Sequence, residues 1–232
     1  MIEHPFRAHA TLELIPVEDA EIYYLPKLPL AQPTEAVMNQ LIDEVPWRDE
    51  NIVVWGKTIP QPRLIAWYGD KEANYTYSGI RHDPLPWTDS LIEIKSRVEK
   101  LADTNFNSVL LNYYRHHRDS MGLHSDDEPE LGRRPIIASL SLGEERTFLL
   151  KHKTRKDLKV VRLKLASGSL LLMKGDTQHC WKHGIEKEKR PCGPRINLTF
   201  RRICSQRGTN KSTDNSALSH VSKFTRREKT AN

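Results

Sequence analysis

The chain has 232 residues, of which 38% are hydrophobic and 28% charged, and its formal net charge is +6. This length suits one domain with a sizeable core, and the hydrophobic content excludes a wholly disordered chain. No apolar run approaches the ~18 residues that span a bilayer, so we expect no association with a membrane.

The first hundred residues predict an irregular segment followed by helices. Residues 1–32 are interrupted by prolines and show little periodicity, which predicts an irregular or partly extended lead-in. Residues 34–45 and 89–102 carry apolar side chains at helical spacing. We therefore expect two helices in this part of the chain. At the start of the second one, Ser90 and Glu93 have the spacing of a capping box.

The rest of the chain predicts mainly β structure. Residues 51–80 are rich in aromatic and turn residues, which indicates hairpins or loops, and after residue 105 the hydrophobic period changes to two. The strand candidates are residues 107–114, 136–142, 146–151, 158–165, 168–173 and 195–202. Short strands separated by turns favour a sandwich or barrel over a parallel sheet. Residues 204–232 are polar and basic, which predicts a disordered tail.

Charge and cysteine content bear on partners and compartment. The balance of Lys and Arg against Asp and Glu gives residues 1–100 a net charge of −6, residues 101–203 a net charge of +8 and the tail a net charge of +4. A basic middle is consistent with a polyanion partner, but it is equally typical of a solvated surface. The three cysteines lack CxxC spacing, and the first ten residues do not have the pattern of a signal peptide. We therefore expect an intracellular protein, cytoplasmic if bacterial and nuclear if eukaryotic.

A His-x-Asp pair is the first candidate for chemistry. His124 and Asp126 lie two residues apart, so on an extended chain their side chains project from the same face. One further histidine, His179 or His183, would complete a facial site of two histidines and one carboxylate, which is typical of non-haem Fe(II) oxygenases. Spacing alone leaves both histidines open, and a hydrogen-bonded surface pair is the alternative.

A second candidate lies near the end of the chain, in the alternating segment Arg195-Ile-Asn197-Leu-Thr199-Phe-Arg201. Two guanidinium groups on one face can bind a carboxylate, whereas an outer strand with its polar face in water would have the same pattern. Asn112 and Tyr114 share a face of another strand candidate. They could donate hydrogen bonds to a small polar ligand, or they could satisfy one another at the end of a barrel.

Taken in order, these motifs resemble the AlkB-type nucleic-acid demethylases, which depend on Fe(II) and 2-oxoglutarate. The motifs are NxY at 112–114, HxD at 124–126, WxH at 181–183 and RxNxTFR at 195–201, and the likeness covers about residues 50–203. The resemblance implies an α+β, mainly β protein with a double-stranded β-helix (jelly-roll) core, N-terminal helices and a nucleotide-recognition hairpin. The dioxygenase domain would be residues 33–203, with helices and recognition region before residue 105 and the catalytic core after it.

The resemblance also assigns roles to the candidate residues. His124, Asp126 and His183 would be the iron ligands, which selects His183 over His179. Arg195 would hold the distal carboxylate of 2-oxoglutarate. The other residues implied to line that pocket are Asn112, Tyr114, Asn197, Thr199 and Arg201. Dioxygen is the further co-substrate, and ascorbate is the expected reductant.

The remaining assignments concern a flipped or single-stranded base. Tyr77 would stack on the base and Tyr75 would hydrogen-bond, with Ser78 in the same hairpin. Asp127 and Glu128 would meet the edge of a cationic base, or else form a solvated acidic turn. Trp55 would act as a wedge, with core packing as the alternative. The basic run from Lys151 to Lys164 would follow the phosphate backbone.

The implied activity is repair of N-alkylated bases of the 1-methyladenine and 3-methylcytosine type by hydroxylation of the alkyl group and release of formaldehyde. The expected partner is DNA, with RNA as the second candidate, and we expect a monomer. Three alternatives remain at this point: a 2-oxoglutarate dioxygenase acting on protein or small molecules, a non-catalytic nucleic-acid-binding module with a degenerate site, and a zinc-binding protein that uses His179, Cys180, His183 and Cys192.

Overall fold

The computed structural model of the protein describes residues 11–54, 57–73, 75–77 and 80–204. In chain order the elements are β1 (Glu13–Ile15), β2 (Glu21–Leu25), α1 (Thr34–Glu44), β3 (Arg48–Val54), β4 (Lys57–Gly69), β5 (Tyr75–Tyr77), β6 (Ile80–His82), α2 (Asp89–Ala102), β7 (Ser108–Tyr114), β8 (Met121–His124), a 3₁₀ turn (Pro129–Leu131), β9 (Ile137–Gly143), β10 (Arg146–His152), β11 (Val161–Leu165), β12 (Leu170–Lys174), α3 (Thr177–Cys180), β13 (Trp181–Ile185) and β14 (Arg195–Arg201).

The strands form two facing sheets and a separate hairpin. The major sheet has eight strands in the order β1-β2-β12-β9-β14-β7-β4-β3, the minor sheet has four in the order β11-β10-β13-β8, and β5 pairs with β6. Neighbouring strands within the two large sheets are antiparallel. This arrangement confirms the expected α+β, mainly β jelly-roll fold.

The hydrophobic alternation of the central strands divides the core into two layers. On β12, Leu170 and Leu172 belong to the cluster shared with α1 and α2, whereas Leu171 and Met173 belong to the cluster shared with the minor sheet. Successive side chains of a strand point to opposite faces, so the major sheet is covered by helices on one face and by the minor sheet on the other. The space between the sheets is where the polar faces of the motif strands meet.

The two predicted helices are present, but the cap of the second is not the predicted one. Thr88 is the N-cap of α2, and its hydroxyl accepts a hydrogen bond from the Leu91 N–H at 3.3 Å. Ser90 lies inside the first turn, and its hydroxyl accepts instead from Gln40 Nε2 of α1 at 2.8 Å. Because Thr88 already satisfies a free N–H of the first turn, the capping box predicted at Ser90 and Glu93 is wrong.

The lead-in contains two strands where the sequence predicts an irregular or partly extended segment. Glu21–Leu25 pairs with β12 along its whole length, and Ile22 is completely buried. Pro16 and Pro26 directly follow β1 and β2, so they end the strands without removing a ladder hydrogen bond from their interiors. Pairing with a distant strand, which local periodicity does not show, orders this segment. The boundary at residue 33 stays a prediction.

The front half also supplies the far edge of the major sheet. Here β3 pairs with β4, which with 13 residues is the longest strand among the described residues. The strand predictions after residue 105 are confirmed, but two short strands of the minor sheet, β8 and β13, were not predicted. No helix among the described residues is long and apolar enough to cross a membrane. The tail predicted at 204–232 lies beyond the described residues except for Cys204.

Candidate metal and co-substrate site

The sequence motifs converge at the end of the minor sheet. His124 ends β8, His183 lies directly opposite it on β13, and Asp126 follows two residues after His124. One ligand atom from each of the three side chains lies within 4.8 Å of the other two. His179 is exposed on α3 and takes no part in this cluster. The geometry therefore joins His183, and not His179, to the His-x-Asp pair.

Neighbouring groups hold the three side chains in position. The Asp126 N–H donates to Gln178 Oε1 at 3.0 Å, and Arg201 Nη2 donates to Asp126 Oδ1 at 2.8 Å. His124 Nδ1 lies 3.0 Å from the Gly122 carbonyl oxygen, which leaves Nε2 for a ligand. Asp126 Oδ2 is buried and has no hydrogen-bond partner among the described residues. A buried carboxylate oxygen without a partner, beside two imidazole rings, fits a divalent cation.

Burial and charge set the protonation of this cluster. Burial alone would raise the pKa of Asp126, but the charges of Arg201, His183 and His124 and the Arg201 hydrogen bond lower it to about 2. Burial, followed by the charge of His124, lowers the pKa of His183 to about 3, and Asp126 opposes this shift. At neutral pH the cluster thus offers an ionised carboxylate and a neutral His183, which are the protonation states that bind a metal ion.

A narrow polar cavity lies beside the cluster, lined by the motif residues Asn112, Tyr114, Arg195, Asn197, Thr199 and Arg201. All seven residues of β14 are buried, with its apolar side chains in the helix-side core. The alternating segment is therefore not an outer strand with a solvated face. Its polar face looks into the interior, next to the metal ligands.

Arg195 is the strongest anion-binding group in the narrow cavity. Its side chain is 1% exposed, Nη2 donates to Ser141 Oγ at 2.9 Å, and Nε and Nη1 have no hydrogen-bond partner among the described residues. Burial lowers its pKa to about 10, so it remains charged at neutral pH. A buried guanidinium with two unused donors needs a carboxylate or phosphate partner.

Three other residues of the narrow cavity hydrogen-bond within the protein. Asn112 Oδ1 accepts from Arg63 Nε at 2.7 Å. Asn197 Nδ2 donates to Ser139 Oγ at 2.8 Å, and Asn197 Oδ1 accepts from the Thr199 hydroxyl at 2.9 Å. Because Asn197 and Thr199 hydrogen-bond to one another, they shape the wall of the narrow cavity. Tyr114 presents its ring to the Arg195 guanidinium, with 5.2 Å between Cζ and the ring centroid.

A second, larger cavity opens on the other side of the metal ligands. Together with its mouth, which is open to solvent, it encloses about 850 Å³, compared with about 410 Å³ for the narrow cavity and its mouth. Both cavities are lined by Met121, His124, Asp126 and Arg201. A long face of β4 lines the larger one, formed by Gln61, Arg63, Ile65 and Trp67. A ligand in each cavity would thus reach the metal cluster from a different side.

The structure separates the two acidic residues that follow the metal motif. Glu128 lines the larger cavity, and its buried Oε2 has no hydrogen-bond partner among the described residues. Asp127 does not line this cavity, is largely exposed, and accepts a hydrogen bond from Lys153 Nζ at 2.8 Å. Of the two acids, only Glu128 therefore lines the larger cavity, and contact of either acid with a base stays a prediction.

The other predicted contact residues lie in the recognition region. Tyr75 and Tyr77 lie on β5, which pairs with β6, so the predicted hairpin is present. Their side chains are not among the parts of the chain that the structure describes. Trp55 and Ser78 lie outside the described residues. The basic run occupies the β10–β11 hairpin. Part of its charge is neutralised, because Arg155 pairs with Glu18 and Asp157, and Lys153 with Asp127.

Comparison with known proteins identifies the family. Residues 21–201 match the 2OG-Fe(II) oxygenase superfamily. The chain is 44% identical over 175 residues to the alpha-ketoglutarate-dependent dioxygenase alkB homolog 3 of Mus musculus, covering 72% of this chain and 60% of the mouse protein. It is 42% identical over 158 residues to the DNA oxidative demethylase ALKBH2 of the same species, covering 66% of each. The chain belongs to the AlkB family.

A solved structure of another protein has a similar fold. The structure of OsALKBH1 superposes with a TM-score of 0.57 at 16% identity and covers 83% of this chain and 100% of that chain. The cofactors of this family are Fe(II) and 2-oxoglutarate, used with dioxygen, and the residues present fit both. The unpartnered Asp126 Oδ2 fits the metal, and the unused donors of Arg195 fit a carboxylate.

Several residues of this AlkB-family site were not predicted from the sequence. Gln178 positions the Asp126 backbone, Ser141 supports Arg195, and Gln61 and Arg63 line the larger cavity. Residues 61, 63, 65 and 67 share one face of a strand, and this alternation was available in the sequence. Two prolines next to Gln61 obscured it, because proline argues against a central strand.

Proposed function

We propose that the protein is an Fe(II)- and 2-oxoglutarate-dependent oxidative demethylase that acts on N-alkylated bases of the 1-methyladenine and 3-methylcytosine type. The observation that carries this proposal is the position of the metal cluster between the two cavities. A dicarboxylate held on one side and a base held on the other would both reach the metal at His124, Asp126 and His183. The names of the mouse relatives, a dioxygenase and a DNA oxidative demethylase, support the same assignment.

The narrow cavity would hold 2-oxoglutarate by its charged ends. The buried Arg195 fork binds the distal carboxylate, and the Tyr114 ring packs against the guanidinium and fixes its plane. Arg201 keeps Asp126 ionised through its 2.8 Å hydrogen bond, so the carboxylate remains a metal ligand. When bound, Fe(II) with 2-oxoglutarate and dioxygen supplies the oxidation of the methyl C–H bond.

The larger cavity would hold the base. It is the wider of the two cavities, and Ile65, Trp67 and Leu110 give it apolar walls. The carboxylate of Glu128 favours a ring that carries positive charge, as methylated adenine and cytosine do. A base inside a duplex cannot enter such a cavity, so it is flipped out or taken from a single strand.

The partner in this proposal is DNA carrying alkylated bases, with RNA as the second nucleic acid to be tried. The β10–β11 hairpin would lie along the phosphate backbone, with lysines and arginines that have no role in holding 2-oxoglutarate. Tyr75 and Tyr77 would contact the base from the recognition hairpin, and Trp55 would act as the wedge. We further propose that the enzyme works as a monomer inside the cell.

The test is release of formaldehyde from oligonucleotides that contain 1-methyladenine or 3-methylcytosine. Single-stranded DNA, duplex DNA and RNA are compared, with and without 2-oxoglutarate. We expect turnover that requires 2-oxoglutarate and is lost in His124→Ala and Asp126→Ala. Turnover by these variants at the wild-type rate would contradict the metal assignment. An inactive wild type that binds Mn(II) and 2-oxoglutarate would contradict the substrate assignment alone.

A further inference from the structure

Gln61 is a buried amide without a hydrogen-bond partner. Its side chain lines the larger cavity and is 2% exposed, yet neither Oε1 nor Nε2 has a partner among the described residues. An unpaired buried polar group is destabilising, and most buried polar groups of folded proteins are paired. A group of this kind on a cavity wall is matched to a ligand that supplies both a donor and an acceptor.

The backbone around Gln61 fixes where the amide points. Asn51 pairs with Pro60 and Asp49 with Leu64, so residues 61–63 of β4 stand opposite Glu50 alone. A bulge of this type bends the strand and redirects its side chains, often beside active sites. Gln61 lies between Pro60 and Pro62, and because proline has no N–H, the bulge leaves no ladder donor unpaired at either neighbour.

The bulge is also anchored next to the strand that ends in the metal ligand His124. The Ser120 N–H donates to the Pro62 carbonyl oxygen at 2.9 Å, immediately before β8 begins. Two residues on, Arg63 faces the same cavity, and its Nε is engaged by Asn112. The bulge and this anchor therefore hold the backbone of Gln61 at the cavity wall, while its amide has no hydrogen-bond partner among the described residues.

The acidic residues of the larger cavity only accept hydrogen bonds, whereas the amide of Gln61 can both donate and accept. A carboxylate such as Glu128 favours any cationic ring and so attracts methylated adenine and methylated cytosine alike. A glutamine amide presents one donor and one acceptor side by side. It can form two hydrogen bonds with adenine, at N6 and N7, whereas cytosine offers an amino group beside a carbon that accepts nothing.

We propose that Gln61 distinguishes the base in the cavity by its amino edge. Oε1 accepts from the exocyclic amino group and Nε2 donates to N7 of 1-methyladenine, an edge that methylation at N1 leaves intact. With 3-methylcytosine only the first of these bonds forms. Gln61 is thus a specificity-determining residue that favours the adenine lesion. This inference rests on the proposed function.

The test compares the wild type with Gln61→Leu on three single-stranded substrates, which contain 1-methyladenine, 3-methylcytosine or 7-deaza-1-methyladenine. The last substrate has a carbon in place of N7. For the wild type we expect kcat/KM to fall about fivefold to a hundredfold when N7 is removed, since a bidentate pair is worth about 1–3 kcal/mol. For Gln61→Leu the removal of N7 should have no effect, and the ratio of adenine to cytosine turnover should fall by a similar factor.

Stability separates this role from a structural one. Since the Gln61 amide has no hydrogen-bond partner in the part of the chain that the structure describes, Gln61→Leu should unfold at the same temperature as the wild type or a higher one. Gln40→Leu is the matched control, because Gln40 lies on α1 and bonds Glu44 and Ser90 away from both cavities. It should keep the wild-type substrate ratios.

The outcomes are distinguishable from failure of the proposed function. An equal response of wild type and Gln61→Leu to the loss of N7 would overturn the role of Gln61, as would a lowered melting temperature of Gln61→Leu. If the wild type turns over none of the methylated strands, the proposed function fails. In that case, fluorescence anisotropy measures the affinity for the same three oligonucleotides. The role of Gln61 then requires that the wild type binds the 1-methyladenine strand more tightly than the 3-methylcytosine strand and that Gln61→Leu does not.

Discussion

Arg201 Nη2 lies 2.8 Å from Asp126 Oδ1, and both side chains are buried. Arg201 lies on β14, the last strand along the chain, and Asp126 lies in the loop that follows β8. One hydrogen bond therefore connects the wall of the co-substrate cavity to the metal cluster. Burial would raise the pKa of Asp126, and it is chiefly the Arg201 charge that lowers it to about 2. The arginine therefore maintains the charge of a metal ligand.

Replacing Arg201 should weaken metal binding. In Arg201→Met the carboxylate of Asp126 loses its closest cation, and the affinity for Mn(II), used as a redox-stable probe, should fall about tenfold to a hundredfold. Isothermal titration at neutral pH measures this. Arg202→Met is the matched control, because Arg202 is the exposed neighbour. Unchanged Mn(II) affinity in a folded Arg201→Met protein would refute the link.

Replacing Arg195 should affect 2-oxoglutarate and leave the metal alone. Arg195→Lys keeps the charge but loses the planar fork, so the affinity for 2-oxoglutarate in the presence of Mn(II) should fall about tenfold to a hundredfold. Quenching of tryptophan fluorescence follows the binding. The affinity for Mn(II) alone should match the wild type, and a parallel loss of both affinities would indicate a collapsed site instead of a missing carboxylate contact.

The two adjacent acids provide a matched pair for the base-side cavity. Glu128 faces the cavity, whereas Asp127 pairs with Lys153. Glu128→Gln should lower kcat/KM for a cationic methylated base about tenfold or more, in line with the loss of a charge-assisted contact. Asp127→Asn should change it much less. Initial rates of formaldehyde release compare the two, and equal losses would show that position relative to the cavity is not what matters.

Asp119 gives the free protein a pH-dependent contribution to stability. Burial would raise the pKa of Asp119, but hydrogen bonds from Arg115 Nε at 2.9 Å and the Arg115 N–H at 2.8 Å lower it below 3.8. A carboxyl whose pKa is lower in the folded state stabilises the protein above its unfolded pKa, and this stability is lost as the pH falls through the folded pKa.

Asp119→Asn should therefore lower the free energy of unfolding at pH 7 by about 1–3 kcal/mol. The difference from the wild type should shrink as the pH drops below 3.8, the ordinary value. Urea titrations at pH 7 and at pH 3 measure it. A difference that stays the same at both values would mean that the Asp119 charge contributes nothing to stability.

Much of the catalytic core could be predicted from the sequence, because its strands carry both their fold and their chemistry in a period of two. In β14, Ile196, Leu198 and Phe200 pack in the helix-side core while Arg195 and Arg201 face the cavities. The resemblance to the AlkB family then supplied the choice of His183, which spacing left open. The pairing of His183 with His124 across β8 and β13 agrees with that choice.

Features that depend on long-range pairing could not be predicted in the same way. The lead-in becomes ordered because β2 pairs with β12, nearly 150 residues further along the chain, and no local pattern encodes this partner. The cap of α2 at Thr88 and the separate surroundings of Asp127 and Glu128 depend on one-residue differences in position. The orientation of Gln61 depends on a bulge, which is visible only from the pairing of β4 with β3.

The short strand β8 has a consequence for how the protein handles its metal. It is an edge strand of four residues that pairs with β13 alone, and the register shifts between His183 and Ile185. Two of the three metal-binding side chains lie at its end or just beyond it, and the third lies on its partner. Metal binding is therefore coupled to the local opening of this edge strand, so that each opposes the other through one linked equilibrium. The amide protons of β8 should exchange with solvent faster when a chelator removes the metal, well before the rest of the fold loosens.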